Sequence, residues 1–317
     1  MQTRTYGELF KLIRSLAGVG SFSANELDDI ANLINRRFLQ IFNESPIWPR
    51  YLVSSEKRDV LALTLSGATA STDTTVNQNY KLLGSNTTGG SNVYQGTTTS
   101  TVIVYNTGTA WRVDTAASAA EQTDGTFTVT SGTQQFIEAD TNKKDNITDV
   151  ETFTPRAGTD SLLVEGKNLV PFAQTGKTTI GSFNRIYRKQ PFLNQSALEY
   201  EFFVDVTGAN ILNIASTTDN SVFVTYKQQF TPFSVGPSTD ATIYTDSTVE
   251  VPGEFFAYLA HATYADFLRM DGQTDKAFQE EERANIAMAL ELEKIDIISN
   301  NNTVNKRFST YVNRQSR

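Results

Sequence analysis

Thr5-Tyr-Gly-Glu-Leu-Phe-Lys-Leu-Ile-Arg-Ser-Leu-Ala-Gly18, followed shortly by Ser23-Ala-Asn-Glu26, places two helix-start signals at the head of the chain. Each is an S/T-x-x-E capping box, in which a hydroxyl and a carboxylate three residues on satisfy orphan backbone N–H groups. After the first box Leu9, Ile13 and Leu16 share a face, and Gly18 and Gly20 stop the helix. After the second, Leu27, Ile30, Ile34, Phe38, Ile41 and Phe42 recur at three and four, predicting a helix of about five turns to about Asn43. Pro46-Ile-Trp-Pro49 then forces an extended path.

Helical periodicity disappears from there to about Val251. Val60–Leu65, Thr101–Tyr105, Ala110–Val113, Phe127–Thr130 and Ser161–Val164 are short β-type runs between turn residues. Leu198–Val206, Asn210–Ile214 and Ser221–Lys227 follow closely enough to predict a meander of three consecutive antiparallel strands. The Thr/Asn/Gly-rich stretch at about 69–120 reads as a small β excursion with Tyr80, Tyr94, Tyr105 and Trp111 as its ordered residues; the other reading is a loop region with little core.

Helical signals return at Pro252, a residue suited to a first helical position because its missing N–H would be unbonded there. Phe256, Leu259, Ala260, Thr263 and Phe267 form one face, and Asp271-Gly272 ends that helix. Thr274 caps the next, expected to run to about Ser299 with two apolar stripes: Ala284, Met288, Leu292 and Ile295, and Ile286, Ala289, Leu290 and Ile297. A surface helix needs one such face. Two stripes imply two packing partners, within its own domain or on a neighbouring subunit, and Ile286, Met288, Leu290, Leu292 and Ile295 are the candidate inter-subunit residues.

The last eighteen residues carry Lys306, Arg307, Arg314 and Arg317 without an acid. Against a whole-chain charge of −8, these four cations leave −12 on the preceding residues. Such a tail is either a frayed terminus or, given Phe308, Tyr311 and Val312 spaced among its cations, a segment that orders against a partner. The organisation is therefore α+β. Residues 1–45 and 252–299 supply the helices of one bundle, 46–251 form an antiparallel β-rich insertion between them, and 300–317 form a basic docking tail.

Composition removes functions. The chain has no cysteine, so disulfide scaffolds, zinc-thiolate sites and cysteine nucleophiles are excluded, and His261, its single histidine, cannot build a multi-histidine metal centre. Gln174-Thr-Gly-Lys-Thr-Thr179 imitates the end of a phosphate-binding loop, but Pro171 stands where that pattern needs glycine. No Gly-x-Ser-x-Gly elbow supplies a serine for His261, and Asp28-Asp29 and Glu280-Glu-Glu282 read as solvated helix faces. Asn86-Thr-Thr88 and Asn194-Gln-Ser196 match glycosylation sequons, but no secretory signal accompanies them. No catalytic residue, metal or cofactor is expected. Charges at Arg4, Glu8, Lys11 and Arg14 interrupt the opening apolar stretch, so neither a signal peptide nor a membrane span is expected, and synthesis in a cytoplasm is.

Tyr6-Gly-Glu-Leu-Phe10, Asn25–Phe38 and Val251–Ala277 resemble the terminal helices of tailed-bacteriophage head–tail connector (adaptor) proteins, of the short-tailed-phage tail tubular type. Gly272, Asp275 and Ala277 match the family's Gly-x-x-Asp-x-Ala turn into a last long helix. The resemblance covers roughly the first 45 and last 65 residues and leaves out the β region. It implies a structural virion protein, forming a ring commonly of twelve copies beneath the portal and continuing the DNA channel into the tail. It implies as partners the portal protein, a downstream nozzle or tube, and tail fibres. Lys306, Arg307, Phe308, Tyr311, Val312, Arg314 and Arg317 would form the portal-docking segment. An acidic body cannot grip polyphosphate strongly, so viral DNA would pass through without specific binding. The alternatives are a carbohydrate-binding fibre or receptor-binding module built on the β region, and a β-rich polysaccharide hydrolase.

Overall fold

The computed structural model describes residues 3–67, 76–86, 92–106, 111–115, 126–127, 136–138, 150–153, 162–193, 198–212, 214 and 221–312. In chain order the elements are β1 (Thr3–Thr5), α1 (Tyr6–Ala17), α2 (Ala24–Glu44), β2 (Leu52–Asp59), β3 (Leu61–Ser66), β4 (Asn79–Asn86), β5 (Asn92–Gly96), β6 (Val102–Asn106) and β7 (Trp111–Thr115). There follow β8 (Thr126–Phe127), β9 (Phe136–Glu138), β10 (Val150–Phe153), β11 (Leu162–Pro171), β12 (Ile180–Tyr187), β13 (Phe202–Val204), β14 (Gly208–Ile211) and β15 (Ser221–Gln228). The remaining elements are α3 (Ala241–Thr245), β16 (Glu250–Pro252), α4 (Gly253–Met270) and α5 (Thr274–Val312). The protein is thus mixed α+β. Two compact units divide it: residues 1–52 with 229–317, and residues 53–228.

The first unit joins the two ends of the chain. β1 pairs antiparallel with β16, placing Arg4 opposite Val251. Both capping boxes form. Thr5 N–H donates to Glu8 at 3.2 Å and Glu8 N–H to the Thr5 hydroxyl at 3.1 Å, while the Glu26 carboxylate accepts from both the N–H and the hydroxyl of Ser23 at 2.7 Å. Gly18, at φ 71°, ends α1 in the left-handed conformation that glycine adopts without steric cost. Tyr6 and Gly7 at the start of α1 donate their N–H groups to the carbonyls of Val249 and Ser247. A Cβ at Gly7 would lie 2.3 Å from the Thr245 carbonyl oxygen, so only glycine permits this approach.

Leu9, Phe10 and Ile13 of α1, Leu27, Ile30, Ile34, Phe38 and Ile41 of α2, Phe255, Tyr258 and Leu259 of α4, and Ala284 and Ile295 of α5 share one apolar core. Trp48, Phe233, Tyr244 and Val251 belong to it too. Residues 46–52 and 229–251, expected in the β insertion, therefore fall in the first unit. They lack helical periodicity but carry large apolar anchors. Trp48 donates its indole N–H to the Ile41 carbonyl at 3.0 Å. The Asn35 amide exchanges two hydrogen bonds with the Phe233 backbone, standing in for a neighbouring strand. α4 is buried over more than the single expected face, with Phe255, Tyr258, Ala262, Ala265 and Leu268 also inside, because helices pack on several of its sides.

In the second unit one sheet runs in the order β13-β14-β11-β3-β4-β5-β6-β7-β9, and a separate sheet runs β12-β15-β2. Two expectations change here. β4 to β7, expected as an excursion, continue the main sheet directly from β3, with Leu63 opposite Tyr80. Of the residues expected to be ordered in this stretch, Tyr80, Tyr94 and Tyr105 are buried; the side chain of Trp111 and much of the stretch lie outside the described residues. The expected three-strand meander is also broken. β13 and β14 pair, with Phe202 opposite Ile211, whereas β15 crosses to pair with β12. The buried face of β15, with Val222, Val224 and Tyr226, needs a cover that a small hairpin cannot supply.

α5, expected to stop near Ser299, continues to Val312. No glycine or proline follows Gly272, and asparagines cost only tenths of a kcal/mol each in a helix. The basic tail expected from 300 is thus largely the end of this helix.

Candidate interaction surface

At the α4–α5 corner Gly272, at φ 77°, turns the chain, and Gln273 donates its N–H to the Leu268 carbonyl at 2.8 Å. α5 then returns along α4. Ala277 and Ala284 are fully buried, Ile295 is in the core, and Met288 and Leu292 pack half-buried against it. The expectation that Met288, Leu292 and Ile295 lie between subunits is corrected: their spacing of three and four puts them on the side facing their own core. On the other stripe Ile286 is 54 % and Leu290 55 % exposed, with Ala289 exposed between them; the side chain of Ile297 lies outside the described residues. Asp275, Glu282 and Glu293 are exposed at helical spacing along this same strip.

A group of charges ties the hairpin to α2. Arg37 donates through Nε to Asp266 Oδ2 at 2.6 Å and through Nη2 to Oδ1 at 2.5 Å, and its Nη1 reaches Gln40 at 2.9 Å. Arg269 donates to Asp266 at 3.0 Å and also binds Glu281, which lies 3.5 Å from Arg37. Burial lowers the Arg37 pKa, but the hydrogen bonds and charge of Asp266 outweigh it and hold the guanidinium above its ordinary value. Two forked groups of opposite sign, joined by parallel hydrogen bonds, set the relative register of α2 and α4. Sequence reading missed this pair. The available signal was Arg37 flanked on the apolar face of α2 by Ile34, Phe38 and Ile41.

His261 lies in α4 with Nδ1 2.7 Å from Glu280 Oε2, and Glu280 also accepts from Arg283 at 2.6 Å. This is a tie between α4 and α5. Gln174 and Lys177 form a turn between β11 and β12 rather than a helix start, and Lys177 lies 3.6 Å from Glu56. The backbone of Lys306, Arg307, Phe308, Tyr311 and Val312 belongs to α5, their side chains are not described, and Arg314 and Arg317 lie outside the described residues. Thr87 and Thr88 of the first sequon and Asn194 to Ser196 of the second also lie outside them. Among the described residues no group of acids and histidines is placed to hold a metal ion, and no helix is long and apolar enough to cross a membrane.

Comparison with protein-family models, curated proteins and solved structures gives no match. The far side of α5 thus exposes Ile286, Ala289 and Leu290 among charges of both signs, Glu282 and Glu293 together with Arg283 and Lys294, while its opposite side lies in the core.

Proposed function

We propose that this chain is a head–tail adaptor of the tailed-phage type, a structural subunit without catalytic activity. It associates in a ring, commonly of twelve copies, below the portal, continues the DNA channel and attaches the tail. In this reading α1, α2, α4 and α5 form a helical bundle, the β unit is its insertion, and the protein's place is the neck of the virion. The end of α5, from Lys306 through Val312 and on to Arg317, reaches the portal. The β unit meets the nozzle or tube and the fibres.

One observation carries the proposal: the two chain ends share a single core, while α5 keeps Ile286 and Leu290 exposed on its far side. A ring subunit needs such a helix, because it must pack within its own body and against the next copy. The net charge of −8 suits a conduit, since DNA binds through neutralisation of its phosphates by Lys and Arg. Electron microscopy of the purified protein, alone and mixed with portal, tests the reading. Rings that stack coaxially on portal are expected; trimers at a tail periphery would favour a fibre protein and defeat it.

A further inference from the structure

Residues 229–240, between β15 and α3, form neither helix nor strand, yet they lie along α2 in a fixed order. The Phe230 ring lies 5.3 Å from that of Phe42 and 4.9 Å from that of Phe38, and Phe233 stacks on Phe38 at 4.4 Å. The Asn35 amide donates to the Phe233 carbonyl at 3.1 Å and accepts the Phe233 N–H at 2.8 Å. Farther along, the Ser238 N–H donates to the Asp28 carboxylate at 3.1 Å and to the Tyr244 hydroxyl at 2.9 Å. Among the described residues, the backbone of 230–238 makes no other hydrogen bond. Asp28, Asn35 and Phe42 recur every seven residues, so they line one face of α2. Thr231, Pro232, Ser234, Gly236 and Pro237 are exposed above that face.

We infer that this face of α2 is a recognition groove for an extended peptide bearing two aromatic side chains three residues apart, and that residues 229–240 are an internal strap that keeps it shut. The strap itself shows the chemistry of the occupant. An amide that donates to and accepts from the main chain of one residue holds polypeptide backbone whatever its sequence. The rings of Phe38 and Phe42 then select the aromatic pair, as Phe230-Thr-Pro-Phe233 displays. Proline-bearing extended segments on aromatic surfaces are a recurring mode of peptide recognition. Releasing the strap breaks no helix or sheet ladder, because Pro232 and Pro237 carry no N–H and the paired groups bond only to side chains. A segment with so few backbone ties opens at lower free energy than the helix beneath it. What holds it is burial of its rings, Phe233 being 8 % exposed. A competing chain with the same two rings restores that burial, so it has to overcome only the tethering of the strap, an effective concentration on the order of millimolar. A bilayer offers no N–H and carbonyl pair for Asn35 to hold. The groove works in this way whether or not the chain forms a ring.

A fluorescent synthetic peptide of residues 228–240 tests this by anisotropy against the full chain. Phe230→Ser/Phe233→Ser, whose strap lacks its rings, should bind the peptide at least about tenfold more tightly than wild type does. Adding Asn35→Ala should weaken that binding about tenfold, and a peptide with serine in place of both phenylalanines should not bind. If the double variant is unfolded, recovery of its helical circular dichroism on adding peptide supports the groove equally. A double variant that neither binds the peptide nor is rescued by it overturns the groove, as does binding that Asn35→Ala leaves untouched. Native-state chymotrypsin cleavage at Phe230 and Phe233 reads release of the strap in wild type. Cleavage that rises with urea far less steeply than global unfolding is expected. Cleavage that follows global unfolding would make the strap a fixed part of the core and overturn its role as a displaceable cover.

Discussion

Arg37 of α2 and Asp266 of α4 meet through two parallel hydrogen bonds, 2.6 and 2.5 Å long, with each side chain only 6 % exposed. Removing either partner leaves the other charge buried with a poorer set of partners, Arg269 for Asp266 and the more distant Glu281 for Arg37. Asp266→Ala should therefore cost about 3–5 kcal/mol, and Arg37→Ala a similar amount. Replacing both together with Met and Leu should cost far less than the two single changes combined, because no charge is then left buried. Calorimetry of the three variants checks this, and additivity of the single losses would refute the coupling.

The two stripes of α5 should respond differently to the same substitution. Met288→Asp puts a carboxylate against the core of Phe255, Tyr258 and their neighbours, and should lower the melting transition of the first unit by several degrees or abolish it. Ile286→Asp changes only an exposed position, so unfolding should stay within about 0.5 kcal/mol of wild type while self-association is lost. Circular dichroism with sedimentation separates the outcomes, and equal destabilisation by both would contradict the placement.

Lys227 on β15 is 6 % exposed, and burial pushes its ammonium pKa down to about 8 from an ordinary 10.5. Below pH 8 it is protonated in both folded and unfolded chains, and the fold bears the cost of burying the charge. Between 8 and 10.5 the unfolded chain binds more protons, so stability of the second unit should climb with pH by about 1–3 kcal/mol. Lys227→Met should flatten that rise relative to wild type in denaturant titrations. A wild-type curve no steeper than the variant's would contradict it.

Deleting residues 303–317 should leave the fold intact. Among the described residues, the last that α5 contributes to the core is Ile295, well before the cut. The expected result is an unchanged melting temperature together with lost binding to portal, read by co-sedimentation. Unimpaired portal binding would remove the docking role from Lys306, Arg307, Phe308, Tyr311, Val312, Arg314 and Arg317.

Features that neighbours along the chain decide were legible from the residues alone. The two capping boxes, the stop at Gly18 and the corner at Gly272 rest on groups within a few residues of one another, and all four form. The two stripes of α5 were equally legible, being a property of helical spacing. Which stripe faces inward was not, because Met288 and Ile286 are chemically alike and only α4 beside one of them distinguishes the two. The same holds for β15: its alternation marks a strand, but whether it joins β14 or β12 depends on which sheet can cover Val222, Val224 and Tyr226. Arg37 and Asp266 are 229 positions apart, and the first unit is closed by β1 against β16 across still more. Such partners are chosen by burial and charge neutralisation in space, where separation along the chain carries no information, so they emerge only once the chain has folded.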